Sequence, residues 1–461
     1  MKIYDSLQRD IVEFVPRRDG EVSLYACGPT VYDHPHLGHA RQAMTYDIIR
    51  RYFEWTGHRV HHVANVTDID DNIINRALKE GKTEPEIAQY WTQVYIEMMD
   101  ALNILPPHDR PFCTDYVDEM LDFISVLIDN GSAYATDSGV YLRVRSVEGY
   151  GDLVHRTPDE IAESGLNRVD VDESKEDPLD FALWKAAKPD EPTWDSPWGP
   201  GRPGWHIECV AMSLGILGDD FDLHGGGNDL IFPHHTNERA EAIAAGRPFS
   251  RYWIHNAMLN IDGEKMSKSL HNYQTISDVL SEDPLNARAL RLLLLQTHYR
   301  KILEINPDVL SQAREGIKRL DAMARKAAAN GVEASNDDRV AEILARFRKE
   351  MDHDFATPEG MAIVFETVRR ANAALDGGDE SELAAPLALT AIELANVLGL
   401  GISLESNATG DDEAEIQALV DARSAAKSAK DFAEADRIRD ELAGMGITVE
   451  DTATGPIWHR Q

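Results

Sequence analysis

The spacing of apolar positions changes repeatedly along the first part of the chain. Residues 22–26 form a short, β-prone apolar run that ends at a Gly-Pro pair, which predicts a strand that stops at a turn. Residues 38–55 have apolar positions at helical spacing, residues 58–66 are β-prone again, and helical spacing resumes at 73–78. A strand, a helix and a strand in this order predict a right-handed crossover unit of a parallel sheet, with its ligand edge beyond the carboxyl ends of the strands.

The pattern of apolar and polar residues changes near residue 131. Two β-prone runs at 133–136 and 140–144 flank a turn and predict a β-hairpin, which opens an acidic, turn-rich insertion. The sheet domain resumes with the runs 205–209 and 221–229, whose ends we expect at the same ligand edge. The chain from 283 onward is mostly helical up to a final hairpin at 446–458. We therefore divide the chain into a sheet domain in two halves (1–130 and 201–250), an insertion (131–200), a connecting region (251–310), a helical domain (311–405), a linker (406–412) and a small terminal module (413–461).

Composition indicates a soluble, globular protein of several domains. The chain has 461 residues, of which 43% are hydrophobic and 27% charged. Its first ten residues lack a signal pattern, and the longest apolar run, 361–365, is far too short to cross a bilayer, so we expect a cytoplasmic protein with no membrane association. The three cysteines, Cys27, Cys113 and Cys209, include no Cys-x-x-Cys pair. A disulfide framework is therefore not expected, and metal and catalytic roles both stay open.

The charge balance is strongly acidic. Lysine and arginine number 46 against 80 acids, a difference of 46 − 80 = −34. Such a charge argues against binding an anionic polymer, although a basic groove can lie on an acidic protein. Adaptation to high salt, where self-repulsion is screened, and an ordinary acidic protein are both compatible with it.

Several short motifs carry possible chemistry. His36 and His39 flank the start of the first predicted helix, whose free N–H groups suit phosphate. The glycines 225–227 followed by Asp229 predict a strand-end loop that a ribose or phosphate can approach closely, a weak signal by itself. The segment 265–269 has two lysines and two hydroxyls and is either a functional loop or a solvated basic one. Trp205 is either packed in its loop or forms an aromatic wall for a small ligand.

Six motifs in this order resemble the cysteinyl-tRNA synthetases, a family of class I aminoacyl-tRNA synthetases. They are CGPTVY at 27–32, HLGH at 36–39, TDIDD at 67–71, GRPGWHIEC at 201–209, HGGGNDLIFPHH at 224–235 and KMSKS at 265–269. The resemblance extends over nearly the whole chain. It implies a Rossmann-like parallel-sheet catalytic domain with an inserted α+β subdomain, then a helical-bundle anticodon-binding domain at 311–405 and a small C-terminal α/β module. Region 251–310 would hold the KMSKS loop and contact the tRNA stem.

The resemblance also implies an activity. The expected reaction is ATP-dependent activation of L-cysteine to cysteinyl-adenylate and its transfer to the 3′ end of tRNA(Cys). Zinc, one ion per chain, would select the cysteine thiolate, and Mg²⁺ would accompany ATP. We expect a monomer.

Site residues follow from the same resemblance. Expected zinc ligands are Cys27, Cys209, His234 and Glu238; expected catalytic residues are His36, His39, Lys265 and Lys268. ATP contacts are expected from these four and from Gly38, Gly226, Asp229 and Ser267, and cysteine contacts from Gly28, Thr67 and Trp205. A purely structural zinc is the alternative for the first set, and Cys113 matches no motif.

Two other functions remain open at this point. A cysteine ligase of the mycothiol pathway shares the adenylation half but transfers cysteine to an amino sugar. An inactive, RNA-binding paralogue is the other alternative. The helical region and the terminal module favour tRNA, because a small sugar needs no distant recognition domain.

Overall fold

The computed structural model describes residues 1–164, 173–189, 191–266, 272–332, 338–404, 413–429, 431–452 and 455–460. Its strands are β1 (Lys2–Asp5), β2 (Asp10–Glu13), β3 (Glu21–Ala26), β4 (Arg59–Ala64), β5 (Ala133–Thr136), β6 (Gly139–Leu142), β7 (Phe181–Ala186), β8 (Gly201–Pro203), β9 (Phe221–Gly227), β10 (Ser250–Asn256), β11 (Leu259–Ile261), β12 (Glu264–Lys265), β13 (Leu303–Ile305), β14 (Ile447–Thr452) and β15 (Gly455–Arg460).

The helices connect these strands and fill the second half of the chain. They are α1 (Leu37–Trp55), α2 (Asp71–Glu80), α3 (Glu84–Ala101), α4 (Val117–Asp129), α5 (Pro158–Glu163), α6 (Trp205–Leu217), α7 (Thr236–Ala244), α8 (Ile276–Glu282), α9 (Asn286–Leu295), α10 (Pro307–Ala329), α11 (Ala341–Met351), α12 (Thr357–Leu375), α13 (Ala384–Val397), α14 (Glu413–Ser428) and α15 (Phe432–Gly444). None of the described helices is long and apolar enough to cross a membrane.

A four-stranded parallel sheet organises the first half of the chain. Its order is β10-β9-β3-β4, so the two strands predicted at the start of the chain are neighbours and β9 pairs with β3 from the other side. Tyr25 in β3 lies opposite Val63 in β4 and His224 in β9. Because all four strands run the same way, the loops that follow them meet at one edge. The predicted fold class, a parallel-sheet domain with an inserted subdomain and a helical region after it, is confirmed.

The helix α6 corrects one expectation. We expected the run 205–209 to end a strand and so place Cys209 at a strand end, but Trp205–Leu217 is helical. Most of this helix is buried, including Ile207, Val210 and Leu214. An apolar run that is buried on nearly all sides has no alternation that separates a short strand from a buried helix. Cys209 therefore reaches the sheet edge from a helix.

The inserted segment forms a small antiparallel sheet. Its strand order is β5-β6-β7-β8, which includes the predicted hairpin β5-β6. Trp184 of β7 is 1% exposed and belongs to the core that this sheet shares with α4 and α6. The insertion thus has its own sheet but no separate core.

The chain divides into two compact units. The first is Met1–Leu310 with Asp352–Phe355, and the second is Ser311–Met351 with Ala356–Gln461. In the second unit α11, α12 and α13 pack together, and α14, α15 and the antiparallel pair β14-β15 enclose a small apolar cluster that includes Val420, Ile438 and Leu442. The terminal hairpin is confirmed. The predicted linker 406–412 lies outside the described residues, and the predicted domain boundaries stay predictions.

A buried ion pair fixes the helix that leaves β3. Asp47 of α1 and Arg291 of α9 are each 1% exposed, with 2.7 Å between Oδ2 and Nη1. Arg51 also contacts this carboxylate at 2.8 Å. Arg291 donates to the carbonyl oxygens of Leu102 and Asn103 at the end of α3. Burial lowers the pKa of Arg291, and Asp47 opposes that effect. The pair therefore holds α1 and α9 together and ties them to the end of α3, at a cost in desolvation.

We expect Arg291→Met to lower stability by about 3 kcal/mol, because it leaves a buried carboxylate with only one remaining cationic partner. A thermal or urea unfolding curve of the full chain measures the change. Arg59→Met is the matched control, since Arg59 is an exposed arginine that also pairs with a carboxylate, that of Glu21. Its midpoint should stay unchanged, and equal shifts for the two variants would contradict the prediction.

Candidate active site

The loops at the carboxyl edge of the sheet surround a cavity of about 430 Å³. Cys27 follows β3, Thr67 follows β4 and Asp229 follows β9. Backbone bonds hold the first two loops together, because Thr67 N donates to Pro29 O at 3.1 Å and Val31 N donates to Thr67 O at 3.2 Å. The predicted crossover unit thus forms the cavity wall as its topology requires.

Four predicted metal ligands converge at one side of this cavity. Cys27, Cys209, His234 and Glu238 each offer one ligand atom, and these atoms all lie within 4.8 Å of one another. The two sulfur atoms are 3.7 Å apart, and His234 Nε2 lies 2.8 Å from Glu238 Oε1. All four side chains are at most 3% exposed. Two thiols, an imidazole and a carboxylate are a donor set that suits zinc.

The pKa values of the four side chains in this cluster shift in different directions. Burial raises the pKa of the Cys27 thiol well above its usual value, with Cys209 adding to the effect. The hydrogen bond from Cys27 lowers the pKa of Cys209 to about 6. Burial opposes charge on His234, yet Glu238 and Cys209 raise its pKa well above 6.5. Burial also opposes charge on Glu238, but His234 and His224 hold its pKa well below its usual range. In the metal-free cluster these shifts favour a thiolate at Cys209 and a carboxylate at Glu238 beside an imidazolium at His234 and a neutral thiol at Cys27.

A second set of donors overlaps the first. Cys27 and Glu238 also lie near His224 and His235, and His224 Nε2 is 2.9 Å from Glu238 Oε2 and 3.5 Å from Cys27 Sγ. Among the described residues that line the cavity are Cys27, Cys209 and His234, whereas His224 and His235 are not. A metal in the first set would therefore face the cavity, and one in the second set would be sealed behind it.

The paired histidines cap the helix that enters the cavity. His36 Nδ1 accepts from the N–H of Gly38 at 3.0 Å, and His39 Nδ1 accepts from the N–H of His36 at 3.2 Å. The two rings stack with centroids 3.8 Å apart and both line the cavity. A Cβ at residue 38 would lie 2.7 Å from the His36 ring, so glycine is required for this cap. The predicted phosphate site at a helix start is thus a cap built from two imidazoles.

The glycines of the run at the end of β9 have different surroundings. Gly226 is buried, does not line the cavity, and would bring a Cβ within 2.7 Å of Leu230 and 2.9 Å of the His235 ring. Gly227 lines the cavity instead, with the carboxylate of Asp229 beside it. The Asp229 side chain therefore occupies the space that a larger residue at 227 would fill.

The cysteine-contact residues lie next to the metal-ligand cluster. A Cβ on Gly28 would be 1.6 Å from the carbonyl oxygen of Asn65, so this loop approaches the end of β4 closer than any other residue type allows. The Thr67 hydroxyl donates to Glu208 at 3.2 Å and accepts from Asn65 at 3.3 Å. Trp205 is 36% exposed and stacks on His234 with centroids 4.2 Å apart. Of its two interpretations, the geometry favours the wall of the cavity.

Two residues of the site were missed by the sequence reasoning. Asn65 is 2% exposed, accepts from the N–H of Gly28 at 2.7 Å and lies 3.8 Å from Cys209 Sγ. His224 pairs with Glu238 and directly precedes the glycine run. The only available signals were their places, one near the end of a predicted strand and one just before the strand-end glycines.

The predicted lysine loop is described only at its start. Met266 lines the cavity, and the backbone of Lys265 belongs to β12. Ser267 and Lys268 lie outside the described residues. The segment therefore enters the site from the side of α1, whose Gly38 lies near Met266.

Known families match this chain over most of its length. The family described as "tRNA synthetases class I (C) catalytic domain" matches residues 13–315. A DALR domain matches 346–403, and the "Cysteinyl-tRNA ligase anticodon binding domain" matches 409–458. The chain belongs to the cysteine–tRNA ligase family. The family expected from the six motifs is thereby confirmed, and the anticodon-binding description falls on the segment expected to be the small terminal module.

Individual relatives match this chain over almost their full lengths. The cysteine–tRNA ligase of Alkalilimnicola ehrlichii is 45% identical, with 100% of both chains covered. That of Symbiobacterium thermophilum is 44% identical over 100% of this chain and 99% of its own. Both relatives bear the name of the expected family.

Solved structures resemble this chain at the level of the fold. The methionyl-tRNA synthetase of Mycobacterium tuberculosis has a TM-score of 0.55 at 15% identity, covering 82% of this chain and 90% of its own. The agnB2 LeuRS of Agrobacterium radiobacter K84 has a TM-score of 0.62 at 12% identity, covering 84% and 85%. The likeness places the fold among synthetases.

Metal binding to the four-residue cluster should release about two protons at pH 7.5, because only Cys27 and His234 carry protons there that a bound metal must displace. Zinc titrations by calorimetry in buffers of different ionisation enthalpy measure this number. At pH 6 the number should rise, since about half of Cys209 is then protonated. Cys113→Ser, which leaves the four-residue cluster intact, should release the same number as the unaltered chain; release of fewer than one proton would contradict the charge distribution.

Proposed function

We propose that the chain activates L-cysteine with ATP to cysteinyl-adenylate and transfers the cysteine to the 3′ end of tRNA(Cys). The observation that carries the proposal is one cavity lined by both the thiol-containing cluster and the two histidines at the start of α1. Membership in the cysteine–tRNA ligase family supports it.

Activation requires the cysteine carboxylate to attack the α-phosphate of ATP while pyrophosphate leaves. Charge develops on the phosphates, so donors must be in place before the reaction. His36 and His39 would contact the phosphates, beside the closely approached backbone at Gly38. Lys265, Ser267 and Lys268 would close over the pyrophosphate.

The strand-end loop after β9 would hold the nucleoside. Asp229 would accept from the ribose hydroxyls. Gly226 would act indirectly by letting the loop pack against His235. Mg²⁺ would bridge the phosphates, as it does with most bound polyphosphates.

Choosing cysteine over serine is the harder task, because the two differ by one atom. A hydrophobic pocket separates near-isosteres poorly, whereas a site with a specific polar or metal contact reaches about 10⁴-fold or more. The buried donor set fits zinc, which would be held by Cys27, Cys209, His234 and Glu238. Zinc prefers thiolate to hydroxyl and lowers the pKa of a bound thiol.

The remaining contacts would orient the amino acid beside these ligands. The Thr67 hydroxyl, which donates to Glu208 and accepts a hydrogen bond from Asn65, would lie beside the α-ammonium group. Asn65 fixes this arrangement, because its carbonyl oxygen accepts from Gly28 and its amide nitrogen therefore faces Thr67. Trp205 would cover the substrate from the side of His234.

The partners follow from the second unit. Matches to a DALR domain and an anticodon-binding domain support a tRNA substrate and count against an amino-sugar acceptor. The intact cluster and paired histidines count against an inactive paralogue. The monomeric state and the cytoplasmic location stay predictions.

The test of this function is to incubate the full chain with ATP, labelled cysteine and total tRNA and to count acid-precipitable label. Charging of tRNA is the expected result. Cysteine-dependent pyrophosphate exchange without charging would indicate the amino-sugar ligase. Absence of both reactions would indicate the inactive paralogue.

We expect Cys209→Ser to lose bound zinc and to lower cysteine-dependent pyrophosphate exchange by about 100-fold or more, since it removes a direct thiolate ligand. Metal content by atomic absorption and the exchange rate are measured on the same preparation. Cys113→Ser is the matched control, because Cys113 is equally buried but lies outside the four-residue cluster. A zinc-free Cys209→Ser protein that still activates cysteine would refute selection by the metal.

A further inference from the structure

A second cavity, of about 490 Å³, shares Asp229 with the catalytic cavity. Three arginines line it, and we call it the arginine pocket: Arg9, Arg156 and Arg300, with Tyr4, Asn228 and Asp229 among its other lining residues. Of its described lining residues, only Asp229 is used by the activation of cysteine described above. The loop that would hold the adenylate ribose therefore borders a second, cationic space.

The three arginines come from distant parts of the first compact unit. Arg9 lies in the turn between β1 and β2, Arg156 lies in the inserted segment just before α5, and Arg300 follows α9. Arg9 Nη2 donates to Val154 O at 3.3 Å, which ties the first turn to the inserted segment. The fold thus gathers arginines that no local sequence motif places together.

The charge of the pocket is unlike that of the chain as a whole. In a protein of formal charge −34, three guanidinium groups face one carboxylate, that of Asp229, among the described lining residues. Arg300 also pairs with the buried Asp354 at 2.6 Å and lies over the Tyr4 ring. The nearby Asp152 contacts Arg239 instead. Arg9 and Arg156, both exposed, therefore give the pocket an excess of positive charge.

Phosphate is the ligand chemistry that this arrangement suits. Planar guanidinium groups form forked, charge-assisted hydrogen bonds with phosphate oxygens. The backbone of a single-stranded nucleic acid carries a row of phosphate groups. Contacts between arginine and these phosphates depend strongly on salt concentration. In the transfer step the terminal ribose of the tRNA must reach the adenylate, which Asp229 would hold from the other cavity.

We propose that the arginine pocket binds backbone phosphates of the single-stranded 3′ end of the tRNA and so directs its terminal ribose to the adenylate. The inference rests on the proposed function. Free pyrophosphate offers the same chemistry, so the test must separate these two sources of phosphate. The acidic surface elsewhere would leave this pocket as one of the places where an RNA backbone is attracted rather than repelled.

The experiment compares Arg9→Gln, Arg156→Gln and the double variant with the unaltered chain. Arg59→Gln is the matched control: it removes the same charge from an exposed arginine at the first residue of β4, at the amino end of the sheet. Arg300 is left intact, because it also holds Asp354. For each protein, the KM for tRNA and kcat are measured in charging, and the rate and the KM for pyrophosphate are measured in cysteine-dependent exchange.

We expect each pocket substitution to raise the KM for tRNA by about tenfold, the double variant to raise it further, and the slope of log KM against log salt to fall by about one for each arginine lost. The exchange reaction and its KM for pyrophosphate should match those of the unaltered chain and of Arg59→Gln. This split separates a contact with tRNA from a contact with pyrophosphate and from damage to the fold.

Three outcomes would overturn the inference. Charging by the double variant as efficient as that of Arg59→Gln would show that the pocket does not touch tRNA. A parallel loss of exchange and charging would assign the arginines to the activation site or to stability. If the unaltered chain charges no tRNA, the proposed function fails, and the inference fails with it.

Discussion

Glu238 has no access to solvent, yet two imidazoles hold the pKa of its carboxyl well below the usual range, and the site is arranged around this contact. Two imidazoles, those of His234 and His224, lie within 2.9 Å of its oxygens. A buried charge persists only when it is paired, so these contacts fix α7 against β9 and orient His234 towards the two thiols. The same contacts prepare a donor set for a cation before any cation arrives. The affinity of such a site for a metal therefore comes partly from the packing that holds its ligands in place before the metal binds.

The parallel sheet brings the two tasks of the site within reach of one substrate. Cys27 ends one strand, and the chain then runs directly into the histidine cap of α1. Asn65, at the end of the neighbouring strand, contacts Gly28 on one side and Thr67 on the other. A shift of one loop would thus move the thiol-containing cluster and the histidine cap together. In the proposed function, backbone geometry would couple amino-acid choice to adenylation.

The sequence predicted local structure well where the periodicity was clear. The strands β3 and β4, the helix α1 and the hairpin β5-β6 lie close to their predicted bounds, because turn residues or a change in the spacing of apolar positions mark where each begins or ends. The helix α6 was misread because it is buried nearly all round. The ligand set came from the family resemblance and not from spacing, since its members lie far apart in the chain. Asn65 and His224 act through contacts with residues distant in the chain, Gly28 and Glu238, which spacing alone does not reveal.

The position of the thiol-containing cluster has a consequence for the lifetime of a bound metal. Its members are buried, and three of the four border open space only as part of the cavity wall. In the proposed function, an ion would enter or leave through the same cavity as the amino acid. A bound substrate would block this route and slow the loss of the ion to chelators. Occupancy by cysteine would thereby protect the very centre that recognises it, and an enzyme working in abundant substrate would keep its metal longer than an idle one.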